Sequence, residues 1–122
     1  GKRSILMKQN SNAEQGKRAE SLARNHFKKL GFELSETNYR YRRSEIDLIV
    51  LNETLLVFVE VKYRSNEQFG NPEEFVTHNQ KKLIIEAADE YIHSINWQKN
   101  IRFDIVAIDK NDNVEHFEDA FC

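Results

Sequence analysis

Two spacings of hydrophobic residues alternate along the chain, and together they predict two helices and five strands. Two segments carry apolar residues at the three- and four-residue spacing of amphipathic helices. Around them lie short runs rich in β-branched and aromatic residues, which favour strands. The predicted elements are a helix over residues 12–30, strands over 32–39, 45–51 and 55–62, a helix over 77–95, and strands over 101–108 and 114–117. This order, α-β-β-β-α-β-β, predicts an α/β domain with a mixed central sheet flanked by helices.

Each predicted helix has recognisable ends and one apolar face. Ser11 or Asn12 is a suitable N-cap for the first helix, and Gly31 is a stop signal. The core-facing residues expected of this helix are Ala19, Leu22, Ala23, Phe27 and Leu30. Those expected of the second helix are Leu83, Ile84, Ala87, Ala88, Tyr91 and Ile92.

The composition indicates one globular domain. Its 122 residues, 39% hydrophobic and 31% charged, suffice for a single core and are unlike a disordered chain. We interpret residues 1–11 as a flexible N-terminal segment or a remnant of cloning, and residues 12–122 as one domain. No apolar run approaches the roughly 20 residues of a membrane span, so no membrane partner is predicted. Cys122 is the sole cysteine, which excludes an internal disulfide and favours the cytoplasm.

The net charge of −2 conceals an asymmetry between the two halves of the chain. Residues 1–64 carry 13 Lys and Arg against 8 Asp and Glu, whereas residues 65–122 carry 5 against 12. A basic face that binds nucleic acid is compatible with the first half. Charge alone favours the alternative of an evenly solvated surface.

Three charged residues stand inside or at the end of two apolar strands. Asp47 interrupts the second strand, and Glu60 and Lys62 end the third and most hydrophobic one. A buried carboxylate needs water, a counter-charge or a metal. Because side chains alternate along a strand, Glu60 and Lys62 share one face. If Asn52 pairs with Leu55 in the hairpin, Asp47 lies opposite Glu60, whereas a slip of one residue separates them.

Two facing carboxylates repel each other unless a cation lies between them. Oxygen ligands from carboxylates, a strand carbonyl and water suit Mg²⁺ or Mn²⁺ better than Zn²⁺. Such a metal polarises a phosphate oxygen and activates water, and Lys62 would orient that water or neutralise developing charge. The alternative for Glu60 and Lys62 alone is a surface salt bridge at a strand end.

The segments Glu45-Ile46-Asp47 and Glu60-Val61-Lys62 together resemble the signature of the PD-(D/E)xK nuclease superfamily. More closely, the chain resembles the uncharacterised bacterial YraN-type family, which is similar to Holliday junction resolvases. The likeness extends over segments 16–23, 69–72, 102–104 and 120–121. It implies a restriction-endonuclease-like fold, a metal site at Asp47, Glu60 and the Val61 carbonyl, and Lys62 as the catalytic lysine.

The resemblance also points to Glu20 as a further acidic catalytic residue, with an ordinary exposed helix glutamate as the alternative. Two positions depart from the pattern. Ile46 stands where the superfamily has proline, and the basic residue expected near Gln80 is replaced by Lys81 and Lys82.

Aromatic and basic residues interleave just before the strand that carries Asp47. Arginines bind phosphates and tyrosines stack on unpaired bases, which predicts nucleic-acid contacts. The residues assigned to these contacts are Arg40, Tyr41, Arg42 and Arg43 before this strand, Tyr63 and Arg64 after Lys62, and Lys81 and Lys82 in the second predicted helix. The four histidines lack metal-binding spacing, and Asp104 is expected to pair with a nearby basic residue.

We therefore predict a Mg²⁺-dependent endonuclease acting on DNA rather than RNA, with branched or structured DNA as the substrate suggested by the resolvases. A nucleic-acid-binding module that does not cut is the alternative, and a protein-interaction domain is a third hypothesis. A homodimer would suit a two-fold symmetric junction, but no exposed apolar stripe requires one.

Overall fold

The computed structural model describes residues 2–64 and 76–121, with side chains from residue 14 onward. The elements in chain order are α1 (Lys2–Lys29), β1 (Glu33–Tyr41), β2 (Ser44–Leu51), β3 (Leu55–Arg64), α2 (His78–Ile95), β4 (Asn100–Asp109) and β5 (Val114–Phe117). The predicted order and the mixed α/β class are confirmed. Segment 69–72, which contributed to the family resemblance, lies outside the described residues.

The five strands form one sheet in the order β1-β2-β3-β4-β5. Neighbouring strands are antiparallel except β3 and β4, which are parallel and are joined by the crossover that contains α2. A parallel pair needs such a crossover because a tight turn can connect only antiparallel strands. This arrangement agrees with the restriction-endonuclease-like fold that was expected.

Of the two registers considered for the hairpin of β2 and β3, the structure has the one in which Asn52 pairs with Leu55. Leu51 pairs with Leu56, and the ladder continues to Leu48 opposite Val59. The intervening turn is fixed by the Asn52 carboxamide oxygen, which accepts from the backbone N–H of Thr54 at 3.0 Å and of Leu55 at 2.8 Å. Because register decides which face each side chain occupies, this turn indirectly places the charged residues at the far end of the hairpin.

The sheet is covered on both faces. On one face α1 contributes Ala19, Ala23 and Phe27, which are fully or almost fully buried. On the other face α2 contributes Ile84, Ala87, Ala88 and Tyr91. Strands buried on both faces read as continuous apolar runs, which explains the sequence of β3.

Two predictions about α1 are wrong. The helix begins at Lys2, so Ser11 and Asn12 are interior rather than capping residues. No proline or glycine precedes them after Gly1, so nothing in the sequence forces a later start. Leu30 is 52% exposed because the helix ends at Lys29 and the helical spacing no longer applies. The stop signal itself is confirmed, since Gly31 has φ +91°, a left-handed conformation that suits glycine.

The start of α2 follows its sequence signal closely. Thr77 is the N-cap, and its hydroxyl accepts from the Gln80 N–H at 3.1 Å while the Gln80 side chain accepts from the Thr77 N–H at 2.9 Å. This reciprocal capping box satisfies two backbone donors that the first turn leaves without intrahelical partners. It fixes the end of α2 that lies over Glu60.

The predicted pairing of Asp104 is confirmed. Its carboxylate is fully buried and accepts two hydrogen bonds of 2.8 Å from Arg102. His116 lies 2.7 Å from the same carboxylate, and the backbone N–H of Asp119 donates at 3.0 Å. Burial raises the pKa of Asp104, but these hydrogen bonds outweigh burial and lower it overall. The carboxylate therefore joins β4 to β5 and the chain that follows.

We expect Asp104→Asn to lower the free energy of unfolding by about 3 kcal/mol, because it leaves Arg102 without its buried counter-charge. Urea denaturation near neutral pH measures the loss. Because the pKa is lowered in the folded state, the contribution of Asp104 is complete above its ordinary pKa and is lost on acidification below it. The matched control is Asp112→Asn in the exposed pair with Arg18, for which a much smaller change is expected. Equal losses in the two variants would contradict the assignment.

Candidate active site

Strands β2 and β3 separate at Asp47, and this separation creates the site. Their ladder ends at Leu48 and Val59. One step further, the Asp47 carboxylate replaces a backbone carbonyl and accepts the hydrogen bond of the Val61 N–H at 2.8 Å. A buried N–H needs such a partner. Asp47 thus completes the ladder and is held against β3.

Glu60 lies next to Asp47, on the neighbouring strand. Both residues stand one step beyond the last ladder pair, Leu48 and Val59, and each carboxyl changes the pKa of the other. Lys62 approaches Glu60 from two residues along β3, with its ammonium 3.4 Å from a carboxylate oxygen. The predicted grouping of Asp47, Glu60 and Lys62 is therefore present in the structure.

Burial and mutual repulsion change the proton affinity of both carboxyls. Burial raises the pKa of Asp47, and the hydrogen bond from the Val61 N–H partly opposes this. Burial, together with the charge of Asp47, raises the pKa of Glu60 to about 7, although Lys62 opposes the shift. Paired carboxylates of raised pKa in a cavity are typical of catalytic and metal sites.

Cavities open on both sides of this carboxylate pair. A cavity of about 330 Å³ faces α1 and contains Glu20, Asp47 and Val61 in its lining. A cavity of about 130 Å³ faces α2 and contains Ser44 and Glu60. Asp47 is therefore accessible from the α1 side of the sheet and Glu60 from the α2 side.

The donor set suits a divalent cation. Asp47 and Glu60 provide oxygen ligands with excess negative charge, and Mg²⁺ commonly takes one or two carboxylates together with water and substrate phosphate. The buried Ser44 hydroxyl has no hydrogen-bond partner among the described residues, so it is free to bind a water molecule in the Glu60 cavity. No cluster of three His, Cys, Asp or Glu side chains within the described part of the chain could hold a metal ion. Further ligands would therefore be a backbone carbonyl, such as that of Val61, and water.

Comparison with known proteins gives the family of the chain. The profile of the uncharacterised protein family UPF0102 matches residues 19–108, which include Glu20 and the whole Asp47–Lys62 region. A UPF0102 protein of Flavobacterium psychrophilum is 42% identical over 109 residues, covering 87% of this chain and 92% of that protein. One of Legionella pneumophila is 41% identical over 111 residues, covering 88% and 94%. The chain belongs to the UPF0102 family. The predicted resemblance to the YraN-type family is thereby confirmed, and these names state no activity.

Glu20 of this UPF0102 chain, the residue to which the resemblance pointed, lines the Asp47 cavity. Its carboxylate accepts a hydrogen bond of 3.3 Å from Asn38, and both residues line the cavity. Asn38 has φ 51°, a left-handed conformation that asparagine adopts more readily than most residues. Asn38 was not among the predicted site residues. An asparagine inside a predicted strand is nevertheless a signal of a left-handed backbone conformation.

Glu45 and Ser44 were also missed as site residues. Both line the Glu60 cavity, and the charge of Glu45 contributes to raising the pKa of Asp47. Arg40 lies 3.8 Å from Glu45 and partly neutralises it. The sequence placed Glu45 at the start of the second strand, but only the folded structure shows that it lies near the Asp47 and Glu60 carboxyls.

The residues predicted to contact nucleic acid fall into two groups. Arg42, Arg43 and Lys82 are exposed, and Arg42 lies over the Tyr41 ring at 5.1 Å from its centroid. Arg64 differs, because its side chain is only 14% exposed and pairs with Glu115 at 2.6 Å. Arg64 is thus engaged within the protein, whereas Arg43, one of the exposed residues, lines the Glu60 cavity.

The histidines that the structure describes are structural or exposed, as predicted. His26 and His116 lie 2.9 Å apart, and His116 in turn contacts Asp104. Burial lowers the pKa of His26.

Within the described ranges, no helix has the length and apolarity needed to cross a membrane.

The raised pKa of Glu60 predicts an unusual stability profile for the metal-free protein. Between the ordinary pKa of 4.5 and about 7 the folded chain binds more protons at this site than the unfolded chain, so stability falls as pH rises. In a chelating buffer above this range we expect Glu60→Gln to unfold less readily than the wild type, by on the order of 2 kcal/mol. Thermal denaturation over roughly pH 5 to 8 measures the difference. Glu53→Gln, in the exposed β2–β3 turn, is the control, and parallel curves for all three proteins would refute the prediction.

Proposed function

We propose that this protein is a metal-dependent endonuclease that hydrolyses phosphodiester bonds in DNA. The observation that carries the proposal is the placement of Asp47 and Glu60 on neighbouring strands, one step beyond the end of their ladder, with the Lys62 ammonium 3.4 Å from Glu60. Such an arrangement is costly for the fold, since it holds like charges together in a partly buried site. A cation that binds there and acts on phosphate explains why the chain carries it.

Each residue has a distinct role in this proposal. Asp47, Glu60 and the carbonyl of Val61 hold Mg²⁺ or Mn²⁺, which when bound polarises a phosphate oxygen and lowers the pKa of water. Lys62 neutralises negative charge that develops on the phosphate. Its ammonium lies beside Glu60, one of the metal ligands in this proposal, and its side chain is 32% exposed, so a bound phosphate can reach it. Glu20 extends the acidic lining on the α1 side, where it is fixed by Asn38.

Exposed basic residues support nucleic acid as the substrate. Arg42 and Arg43 form no ion pair with any described residue, so both are free to bind phosphates near the Glu60 cavity. The same observation supports the second candidate function, a module that binds nucleic acid without cutting it. A protein that only binds nucleic acid does not need the adjacent carboxyls of Asp47 and Glu60, so their presence favours the nuclease.

Calorimetric titration with Mg²⁺ and Mn²⁺, with cleavage assays on branched and single-stranded DNA in parallel, tests the proposal. Saturable metal binding and metal-dependent cleavage are expected. DNA binding without metal binding would reject the nuclease in favour of the binding module. Negligible salt-dependent binding to any nucleic acid would reject both candidates.

A further inference from the structure

A second cavity lies next to the Asp47 cavity along α1. The second cavity has a volume of about 240 Å³, and its lining includes Gln15, Arg18 and Lys110. Ala19 and Tyr63 line both cavities. The two cavities are therefore adjacent, and together we call them the α1 groove; it extends from Asp47 along the helix toward the β4–β5 turn.

A glycine lines this groove for no reason that the fold explains. Gly16 lies within α1, where glycine weakens a helix relative to alanine. A Cβ atom built at this position meets no atom within 4 Å, so packing against the rest of the protein does not require glycine. Its φ is not in the left-handed region either. The space that a side chain would occupy opens into the Asp47 cavity, which Gly16 lines together with Lys17.

Charge is distributed unevenly along the α1 groove. The inner end holds the carboxylates of Glu20 and Asp47 and one lysine, Lys17, whereas the outer end holds Arg18, Lys110 and Asp112. Arg18 pairs with Asp112, with its Nε at 2.8 Å from the carboxylate, which cancels that negative charge. Lys110 is exposed and forms no ion pair with another described residue. The outer end is therefore net positive and attracts an anion.

The boundary between the two ends is aromatic. Tyr63 is partly exposed, and its other contacts are with the apolar core beneath α1. A ring anchored on one side and open on the other is suited to stacking on an unpaired base. A groove with a metal-binding inner end, an aromatic boundary and a cationic outer end matches the alternation of phosphates and bases along one strand.

We propose that the α1 groove binds a single unpaired DNA strand, with Gly16 admitting the sugar–phosphate backbone next to the bond that is cut. In this arrangement Tyr63 stacks on a base and Lys110 binds a phosphate beyond it. Gly16 and Lys110 are positioning residues, while the carboxylates act on the bond. This inference rests on the proposed nuclease function, because it assigns the substrate path to the same site.

Fluorescence anisotropy with labelled single-stranded DNA in a chelating buffer tests the groove without requiring catalysis. We expect Gly16→Ala to raise the melting temperature yet to weaken DNA binding roughly tenfold, since one methyl group blocks a close contact. Ser21→Ala, exposed on the same helix and outside the groove, should also raise the melting temperature but leave affinity unchanged. Lys110→Ala should reduce the slope of log affinity against log salt by about 0.7, whereas Lys28→Ala on exposed α1 should not.

Wild-type affinity in Gly16→Ala, or an unchanged salt slope in Lys110→Ala, would overturn the inference. Tighter binding of RNA of the same sequence, or of fully paired DNA, would overturn the choice of an unpaired DNA strand. The proposed function fails separately. If the groove variants behave as expected but no cleavage occurs with Mg²⁺ or Mn²⁺, the groove stands and the nuclease does not. If cleavage occurs and the groove variants bind normally, the nuclease stands and the groove does not.

Discussion

Asp47→Asn and Glu60→Gln are each expected to abolish measurable Mg²⁺ binding and to lower DNA cleavage by roughly 10³-fold or more. Each substitution removes one of the two carboxylates that would hold the cation in the proposed site. In Asp47→Asn the amide oxygen of the new side chain would still accept the hydrogen bond that the carboxylate now accepts from the Val61 N–H, so the strand gap should keep its shape. Isothermal titration calorimetry measures metal binding, and cleavage of labelled DNA measures activity.

Glu53→Gln is the matched control for these two variants. Glu53 is an exposed carboxylate in the turn at the opposite end of the same hairpin. Its removal changes the net charge equally, and we expect wild-type metal binding and cleavage. If Asp47→Asn or Glu60→Gln retained full activity in a folded protein, the carboxylate pair would not be the catalytic centre. The expected gain in stability for Glu60→Gln separates loss of function from loss of fold.

Lys62→Met should have the second-largest effect, lowering the cleavage rate by roughly 10²-fold while metal binding is retained. Methionine keeps most of the apolar length of the side chain but removes the ammonium that lies 3.4 Å from Glu60. Because this ammonium opposes the negative charge of Glu60, its loss should not weaken the attraction of the site for a cation. Single-turnover cleavage at saturating Mg²⁺ isolates the chemical step from metal and substrate binding.

Lys28→Met, on the exposed surface of α1, controls for the loss of one positive charge. Loss of metal binding in Lys62→Met would show that the lysine supports the carboxylates structurally rather than the reaction. Cleavage at the wild-type rate would exclude Lys62 from the mechanism. These outcomes are distinct from those for Asp47 and Glu60, where binding and cleavage are expected to disappear together.

The hydrophobic pattern of the chain was sufficient to predict its secondary structure. The spacing of apolar residues indicated α2 and all five strands to within a few residues, because burial on a sheet or beneath a helix imposes a fixed period. The short polar turn suggested the pairing of Asn52 with Leu55 as one of two registers, and the structure has this register, which brings Asp47 and Glu60 together. Local signals failed at α1, where a good capping residue lies inside a longer helix and Leu30 lies beyond its end.

The residues of the candidate site were thus predicted from the sequence, through three charged positions in two apolar strands and one turn that sets the register of those strands. The tertiary structure alone decided the environment of these positions. Separation of β2 from β3 at Asp47, packing of α1 with Glu20 and Gly16, and the buried hydroxyl of Ser44 all depend on residues distant along the chain. Burial and the distance between charges set the pKa values and the cavities, and neither quantity can be obtained from spacing along a sequence. For that reason the sequence could name Asp47, Glu60 and Lys62, but only the folded chain could add Asn38 and the α1 groove.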